Sequence, residues 1–368
     1  MGVQPHPAGP SPYGAASASV SEARYVLPDG RHVRVRWAKA TLAGLESGGH
    51  KKTNQDAYLI LPGFRGSRSG HVFGVMDGHG ADGHMASGYI KREFKGAFRP
   101  PPPGSNARSV AAELKRAMLG LHRGLVDHRI DFSLSGSTAV IVYLEGTELY
   151  VANVGDSRAV LASQKPREPR ERGVPVTPLG PETQGPPPGV PRMVVTPLSE
   201  DHKPELPEER QRIVKAGGEV RRLALDSGEE VGPHRVFVKG GVRIEGVVYD
   251  IPGLAMSRAL GDVIAHNVGV SAEPDVLTKT LAANDKFIII ASDGVWEFIE
   301  SEEAVEIVAS HLARPHLGLD LTGAAQVLCD EARKRWANEE HISDDITAVL
   351  VGIDLTSSSQ ANGHANKL

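Results

Sequence analysis

Short apolar, β-branched runs bounded by turn-forming residues recur along the chain. They predict strands at Val33–Arg36, Ala57–Leu61, His71–Met76, Ala139–Tyr143, Leu149–Asn153 and Lys286–Ala291. Glu145-Gly146-Thr147, between two of these runs, reads as a hairpin turn and makes that pair antiparallel. Helices are expected near Gly83–Phe98, Val110–Arg129, Pro207–Ala216, Glu302–Leu312 and Gly323–Ala337. Pro207 near the start of the third and Gly217 just past its end are the expected punctuation. Ser301 is the candidate N-cap of the fourth, with Glu302 and Glu303 in its first turn. Strands neighbour strands and helices neighbour helices, so the order is not a βαβ alternation. It predicts an α+β fold with antiparallel sheets.

Three stretches fall outside this patterning. Residues 1–24, rich in Pro, Gly, Ala and Ser, bury too little apolar area to order themselves and read as a disordered tail. Residues 356–368 read as a second loose tail. The proline-rich stretch 162–197 reads as an inserted loop, because proline lacks the donor a sheet needs. Its basic start, Lys165 to Arg172, is either a solvated charge cluster or a nuclear signal. The folded body is then 25–355.

Composition narrows the function classes. A chain of 368 residues, 40% of them hydrophobic, can build a sizeable core without disulfides. Forty-one Lys and Arg against 45 Asp and Glu leave a charge of −4, which argues against a nucleic-acid binder. The single cysteine, Cys329, excludes a disulfide framework and a Cys-rich zinc site, and fits an intracellular setting, cytoplasmic or nuclear. No apolar run approaches the roughly 18 residues of a membrane span, and residues 1–24 do not resemble a signal peptide. A monomer is expected.

Two motifs lead elsewhere and are set aside. Gly78-His79-Gly80-Ala81-Asp82-Gly83 matches a dinucleotide-binding glycine pattern, but Asp77 and Asp82 would place carboxylates against a pyrophosphate. Cys329 stands six residues before Arg335, the spacing of a thiol-phosphatase loop. Yet the segment reads as a helix without cradle glycines, so Cys329 is read as a small buried hydrophobe.

The informative pattern is a set of acids at strand edges. Asp56 precedes one apolar strand, Asp77 and Asp293 each follow one and precede a glycine, and Asp344-Asp345 opens the last. An acid beside a buried strand is costly unless something positive neutralises it. Several of them suggest oxygen ligands for hard divalent cations, while each Asp-Gly taken alone also suits a simple turn.

The chain resembles the metal-dependent protein phosphatase family, also called protein phosphatase 2C. The matching stretches are Asn54-Gln55-Asp56, Val75-Met76-Asp77-Gly78-His79-Gly80, Ser135-Gly136-Ser137-Thr138-Ala139 and Ala152-Asn153-Val154-Gly155-Asp156-Ser157-Arg158. They continue with Asp201-His202-Lys203-Pro204, Gly253-Leu254-Ala255-Met256-Ser257-Arg258-Ala259-Leu260-Gly261-Asp262, Ser292-Asp293-Gly294-Val295-Trp296 and Ser343-Asp344-Asp345-Ile346-Thr347. The resemblance implies a four-layer α-β-β-α sandwich with a dimetal centre at one edge. It implies hydrolysis of phosphoserine and phosphothreonine in protein substrates by a hydroxide bridging two Mg2+ or Mn2+ ions.

By position, Asp77 would bridge both metals, the Gly78 carbonyl would ligate one, and Asp293 and Asp344 would hold the other. Asp56 would act mainly through metal-bound water. His79 would be the general acid, a task that suits an imidazole near neutral pH, although a lone histidine also packs or lies at a surface. Lys51 stands where many members carry a phosphate-binding Arg and would lack its bidentate fork. Gln55 replaces an acid found in some members. Glu297 stands where an Asp often joins Asp156 at a third, looser metal; a structural pair of Asp156 with Arg158 or Arg258 is the other reading. Residues 224–253 correspond to the family's flap, where Gly240-Gly241 and Gly246 suggest mobility. These departures motivate an alternative: a weakly active or inactive relative that scaffolds phosphoproteins.

Overall fold

The computed structural model describes residues 21–46, 50–165, 190–225, 227–244, 246–314, 319–340 and 342–356. The tail over 1–20, most of the proline-rich insert with all of its basic run but Lys165 (166–189), and 357–368 lie outside the described residues.

Two antiparallel sheets stack face to face. The first orders its strands Ser21–Val26, His32–Leu42, Ile346–Thr356, Asp285–Ala291, Arg158–Gln164 and Met193–Pro197. The second orders them Asp275–Thr280, Glu148–Val154, Ala139–Glu145, Gly70–Met76 and Ala57–Pro62. The helices are α1 (Gly83–Ala97), α2 (Ala107–Val126), α3 (Pro207–Lys215), α4 (Val263–His266), α5 (Asp293–Trp296), α6 (Ser301–Leu312) and α7 (Leu321–Glu339). α1 and α2 cover the outer face of the second sheet, and α5 to α7 that of the first. The expected α+β sandwich of four layers is therefore present.

Side-chain alternation explains the layers. Ile288 and Ile290 enter the core between the sheets with Phe73, Val75, Val140 and Val142, while Phe287, Ile289 and Ala291 face the helices. Both faces of the central strands are covered, so these strands read as continuous apolar runs rather than alternating ones. Each fully buried Ile or Phe contributes about 1.5–3 kcal/mol of transfer free energy.

Several boundaries differ from the sequence reading. Residues 21–24, assigned to the tail, pair with the next strand from Ser21↔Trp37 onward. Both ends of the assigned insert are also strand, with Met193↔Gln164 and Pro197↔Val160 in register. Proline is tolerated there because Pro197 ends an edge strand. α2 starts earlier than expected because Asn106 caps it, its side chain accepting from the Ser109 amide at 2.8 Å. Ser301 is the first residue of α6 rather than its cap, and its hydroxyl accepts from Arg158 at 3.0 Å. The flap region contains paired strands, among them Glu230–Val238, Val242–Ile244 and Val247–Tyr249, with Gly240, Gly241 and Gly246 at positive φ between them. No helix among the described residues is long and apolar enough to cross a membrane.

One buried group makes the fold acid-sensitive. His71 is 0% exposed and packs among the rings of Tyr25, Trp37 and Phe73. Nδ1 accepts from the Gly63 amide at 3.3 Å, and Nε2 has no partner among the described residues. Burial pushes its pKa down to about 4, against the pull of Glu145. A folded-state pKa below the unfolded value of about 6.5 means that this contribution is present above pH 6.5 and is lost as pH falls through 4. The wild type should therefore lose about 3 kcal/mol more than His71→Gln across that window. Urea denaturation at pH 7 and pH 4 checks this; parallel losses would show that His71 does not titrate as stated.

Candidate active site

The register places the acids. Ala57 pairs with Met76, so Asp56, one residue before Ala57, and Asp77, one after Met76, lie at the same end of two neighbouring strands. In the other sheet Ala291 pairs with Ala348, and the Ser292 amide donates to Thr347 O at 3.1 Å, which brings Asp293 beside the Asp344-Asp345 segment. Asp56, Asp77, Asp293 and Asp344 interact electrostatically across the gap between the sheets' ends.

Burial leads the electrostatics, and mutual repulsion adds to it. Burial, then Asp293, Asp56 and Asp344, hold the Asp77 carboxyl well above the usual range. Burial, then Asp156 and Asp344, push Asp293 up to about 8. Asp56 is pushed up to about 7 by burial, against hydrogen bonds from Thr347 and Ser292. Among the neighbouring charges, that of Asp293 acts most strongly on Asp77. Asp56 Oδ1, Asp293 Oδ1 and Asp156 Oδ1 are buried without a hydrogen-bond partner among the described residues.

Glycines let the backbone approach this cluster. A Cβ on Gly78 would lie 2.2 Å from Gly83 O and 2.6 Å from Gln55 O, so only glycine fits. Gly80 turns the chain at φ 81°. Gln55, where some members carry an acid, donates its side-chain amide to Gly80 O at 2.8 Å, a bond a carboxylate could not make. Asp345 accepts from the amides of Gly44 at 2.6 Å and Gln55 at 2.8 Å, which occupies both its oxygens. Asp344 is left facing the cluster.

Two lysines that the sequence reading passed over meet the acids. Lys52 bonds Asp344 through its ammonium and stands 3.8 Å from Asp345. Burial works against its charge, but Asp344, Asp345 and Asp77 outweigh it and raise the pKa. Lys51, the residue expected at the substrate phosphate, is exposed at a bridge to Leu45. Asp156 pairs with Lys203 at 2.5 Å, not with either arginine. Arg158 forms a two-pronged pair with Asp201, and Arg258 joins Glu209 and Asp275. The choice of cation was not legible because sequence separation does not tell which of several distant cations folding brings to Asp156. Glu297 is exposed at the end of α5.

His79 lies in a two-residue strand, Gly78–His79, and its Nε2 stands 2.7 Å from Asp262 Oδ2. Burial works against its imidazolium, but Asp262, Asp156 and Asp293 outweigh burial and raise its pKa. Cys329 is buried, and burial pushes its thiol up to about 12, so it is no nucleophile at neutral pH.

The donor chemistry fits hard cations. The converging groups are carboxylates, several of their oxygens have no hydrogen-bond partner among the described residues, and burial with mutual repulsion disfavours the charged forms of Asp77 and Asp293 unless positive charge is present. The described residues do not by themselves close a chelate of three or more His, Cys, Asp or Glu side chains.

A family model described as protein phosphatase 2C matches residues 41–340. The chain belongs to the protein phosphatase 2C family. The match ends four residues before Asp344. Among relatives, "Probable protein phosphatase 2C 64" of Oryza sativa subsp. japonica is 35% identical over 83% of this chain and 64% of its own length. "Probable protein phosphatase 2C 35" of Arabidopsis thaliana is 32% identical over 82% of this chain and 79% of its own. The chain thus spans a little under two thirds of the rice relative. The fold is similar to a serine-threonine phosphatase 2C from Toxoplasma gondii, with TM-score 0.65 and 21% identity over 91% of this chain and all of that one. Protein phosphatase 2C enzymes form a metal-dependent family, which agrees with the donor set found here.

Proposed function

We propose that this chain is an active protein serine/threonine phosphatase that cleaves phosphoserine and phosphothreonine without a covalent enzyme intermediate. The observation that carries the reading is the convergence of Asp56, Asp77, Asp293 and Asp344 where the ends of the two sheets meet, with His79 two residues from Asp77. Asp77, the Gly78 carbonyl, Asp293 and Asp344 would hold two divalent cations, Mg2+ or Mn2+. Bound there, they would supply a nucleophile at neutral pH and neutralise phosphoryl charge. Asp56 and Asp156 would orient ordered water through the oxygens that have no partner among the described residues, and Glu297 would join Asp156 at a third, looser cation. Lys51, exposed at the surface, would meet substrate phosphate as a point charge. His79 would protonate the leaving serine or threonine oxygen, work that contributes about 10²–10⁴-fold.

Phosphate release from a phosphothreonine peptide tests this with Mn2+, with Mg2+ and with EDTA, beside Asp77→Asn. Metal-dependent turnover that Asp77→Asn abolishes is expected. Folded protein that takes up Mn2+ yet releases no phosphate would favour a phosphoprotein-binding scaffold instead.

A further inference from the structure

We infer that Asp262 is the positioning residue for His79: it accepts the Nε2 proton, fixes the imidazole, and leaves Nδ1 to deliver a proton to the departing oxygen. The inference rests on the proposed role of His79 as general acid.

Three segments far apart in sequence build the arrangement. Gly78–His79 pairs with Gly136–Ser137, and that strand pairs with Leu260–Gly261, giving a miniature three-stranded sheet. Asp262 follows directly, 2% exposed, with its amide donating to Ser135 O at 2.9 Å and its Oδ2 2.7 Å from His79 Nε2. No Lys or Arg pairs with it among the described residues, so His79 is the cationic partner available to this buried carboxylate.

The backbone is shaped around that contact. Asp262 sits at φ 47° and ψ 50°, a left-handed conformation that non-glycine residues seldom adopt; Arg65 is the other such residue described. A Cβ on Gly136 would lie 2.0 Å from Asp262 Oδ2 and 2.6 Å from Leu260 O, so the missing side chain of Gly136 is the space the carboxylate occupies. His122 and His266 lie nearby but are engaged elsewhere, with the Gly261 amide and Ala259 O. Strain at a buried acid aimed at a single imidazole points to selection for the carboxylate rather than for the turn.

The chemistry balances. As the phosphorus–oxygen ester bond breaks, its electron pair stays on the serine or threonine oxygen, which takes the Nδ1 proton. The imidazole is left neutral, with its Nε2 proton still held by Asp262. His79 Nδ1 has no partner among the described residues that would compete.

Four variants test it: Asp262→Asn, Asp262→Gly, His79→Gln, and His79→Gln combined with Asp262→Asn. Each is assayed on a phosphothreonine peptide and on para-nitrophenyl phosphate, whose acidic leaving group needs no proton. Both Asp262 variants should lower kcat on the peptide about 10–100-fold, with KM and the aryl phosphate rate changed by less than about threefold. The double variant should be no slower than His79→Gln. In protein labelled with 15N-histidine, the hydrogen-bonded Nε2 proton resonance of His79 should vanish or move upfield in Asp262→Asn. Glycine suits φ 47° better than aspartate, so full peptide activity in Asp262→Gly would mean that the residue serves the turn, and would overturn the inference. Equal losses on both substrates, or losses that multiply in the double variant, would also overturn it. If His79→Gln proves indifferent to the leaving group, the general-acid reading falls. The Nε2 signal then decides the anchoring alone: its loss in Asp262→Asn supports it and its persistence refutes it.

Discussion

Asp293→Asn should reduce turnover of a phosphothreonine peptide by at least about 100-fold, beyond the roughly 10–100-fold that losing an outer supporting partner of a metal site costs. The loss should appear in metal binding rather than in the fold. Burial and the charges of Asp156 and Asp344 push this carboxyl up to about 8, which favours its neutral form when no cation is present, and asparagine resembles that form. The metal-free variant should therefore unfold at the same urea concentration as the wild type, or a higher one. Added Mn2+ at about 100 times its Kd should stabilise the wild type by about 2.7 kcal/mol, and the variant by less than about 1 kcal/mol. Near-normal turnover with the full Mn2+ stabilisation would refute the ligand role.

The four acids at strand edges were legible because burial makes an ionised group beside an apolar run expensive, and that cost shows in one sequence without any partner in view. What neutralises or orients them was not legible. Lys52 looks like any surface lysine beside Lys51, yet it turns into the cluster and bonds Asp344. The sequence offers Arg158 or Arg258 as the partner of Asp156, and the structure gives those arginines to Asp201, Glu209 and Asp275. Asp262 lies 183 residues from His79 and directly follows a two-residue strand. Strands of two residues carry no periodicity, so neither the miniature sheet nor the contact it creates leaves a pattern to read.

The layered body shows the same division. Ile288-Ile289-Ile290 marked a strand, and the structure buries it on both faces, one in each core. Ser21–Val26 did not, because it is an edge strand whose side chains are half-exposed or exposed throughout. Pairing with His32–Leu42, not apolar patterning, holds it.

The largest effect on the fold should come from a single methyl group. Gly78→Ala places a Cβ 2.2 Å from Gly83 O, 2.5 Å from Gly83 C and 2.6 Å from Gln55 O. All three are backbone atoms, so no rotamer change relieves the contacts. Overpacking usually costs about 1–3 kcal/mol, and a clash against two fixed segments should reach or exceed the top of that range. The Gly78 amide also donates to Gln55 O at 3.2 Å, so the strain pushes apart the segments that carry Asp56 and Asp77. Mn2+ stabilisation should fall together with urea resistance. Gly88→Ala, on α1, is the control: its Cβ meets nothing within 4 Å, and helix propensity should make it more stable by roughly 0.5–1 kcal/mol. Urea titration of the pair gives opposite signs if the backbone at Gly78 is as tight as its contacts indicate. A Gly78→Ala protein within about 1 kcal/mol of wild type would show that the segment yields instead, and that the placement of Asp77 does not depend on this close approach.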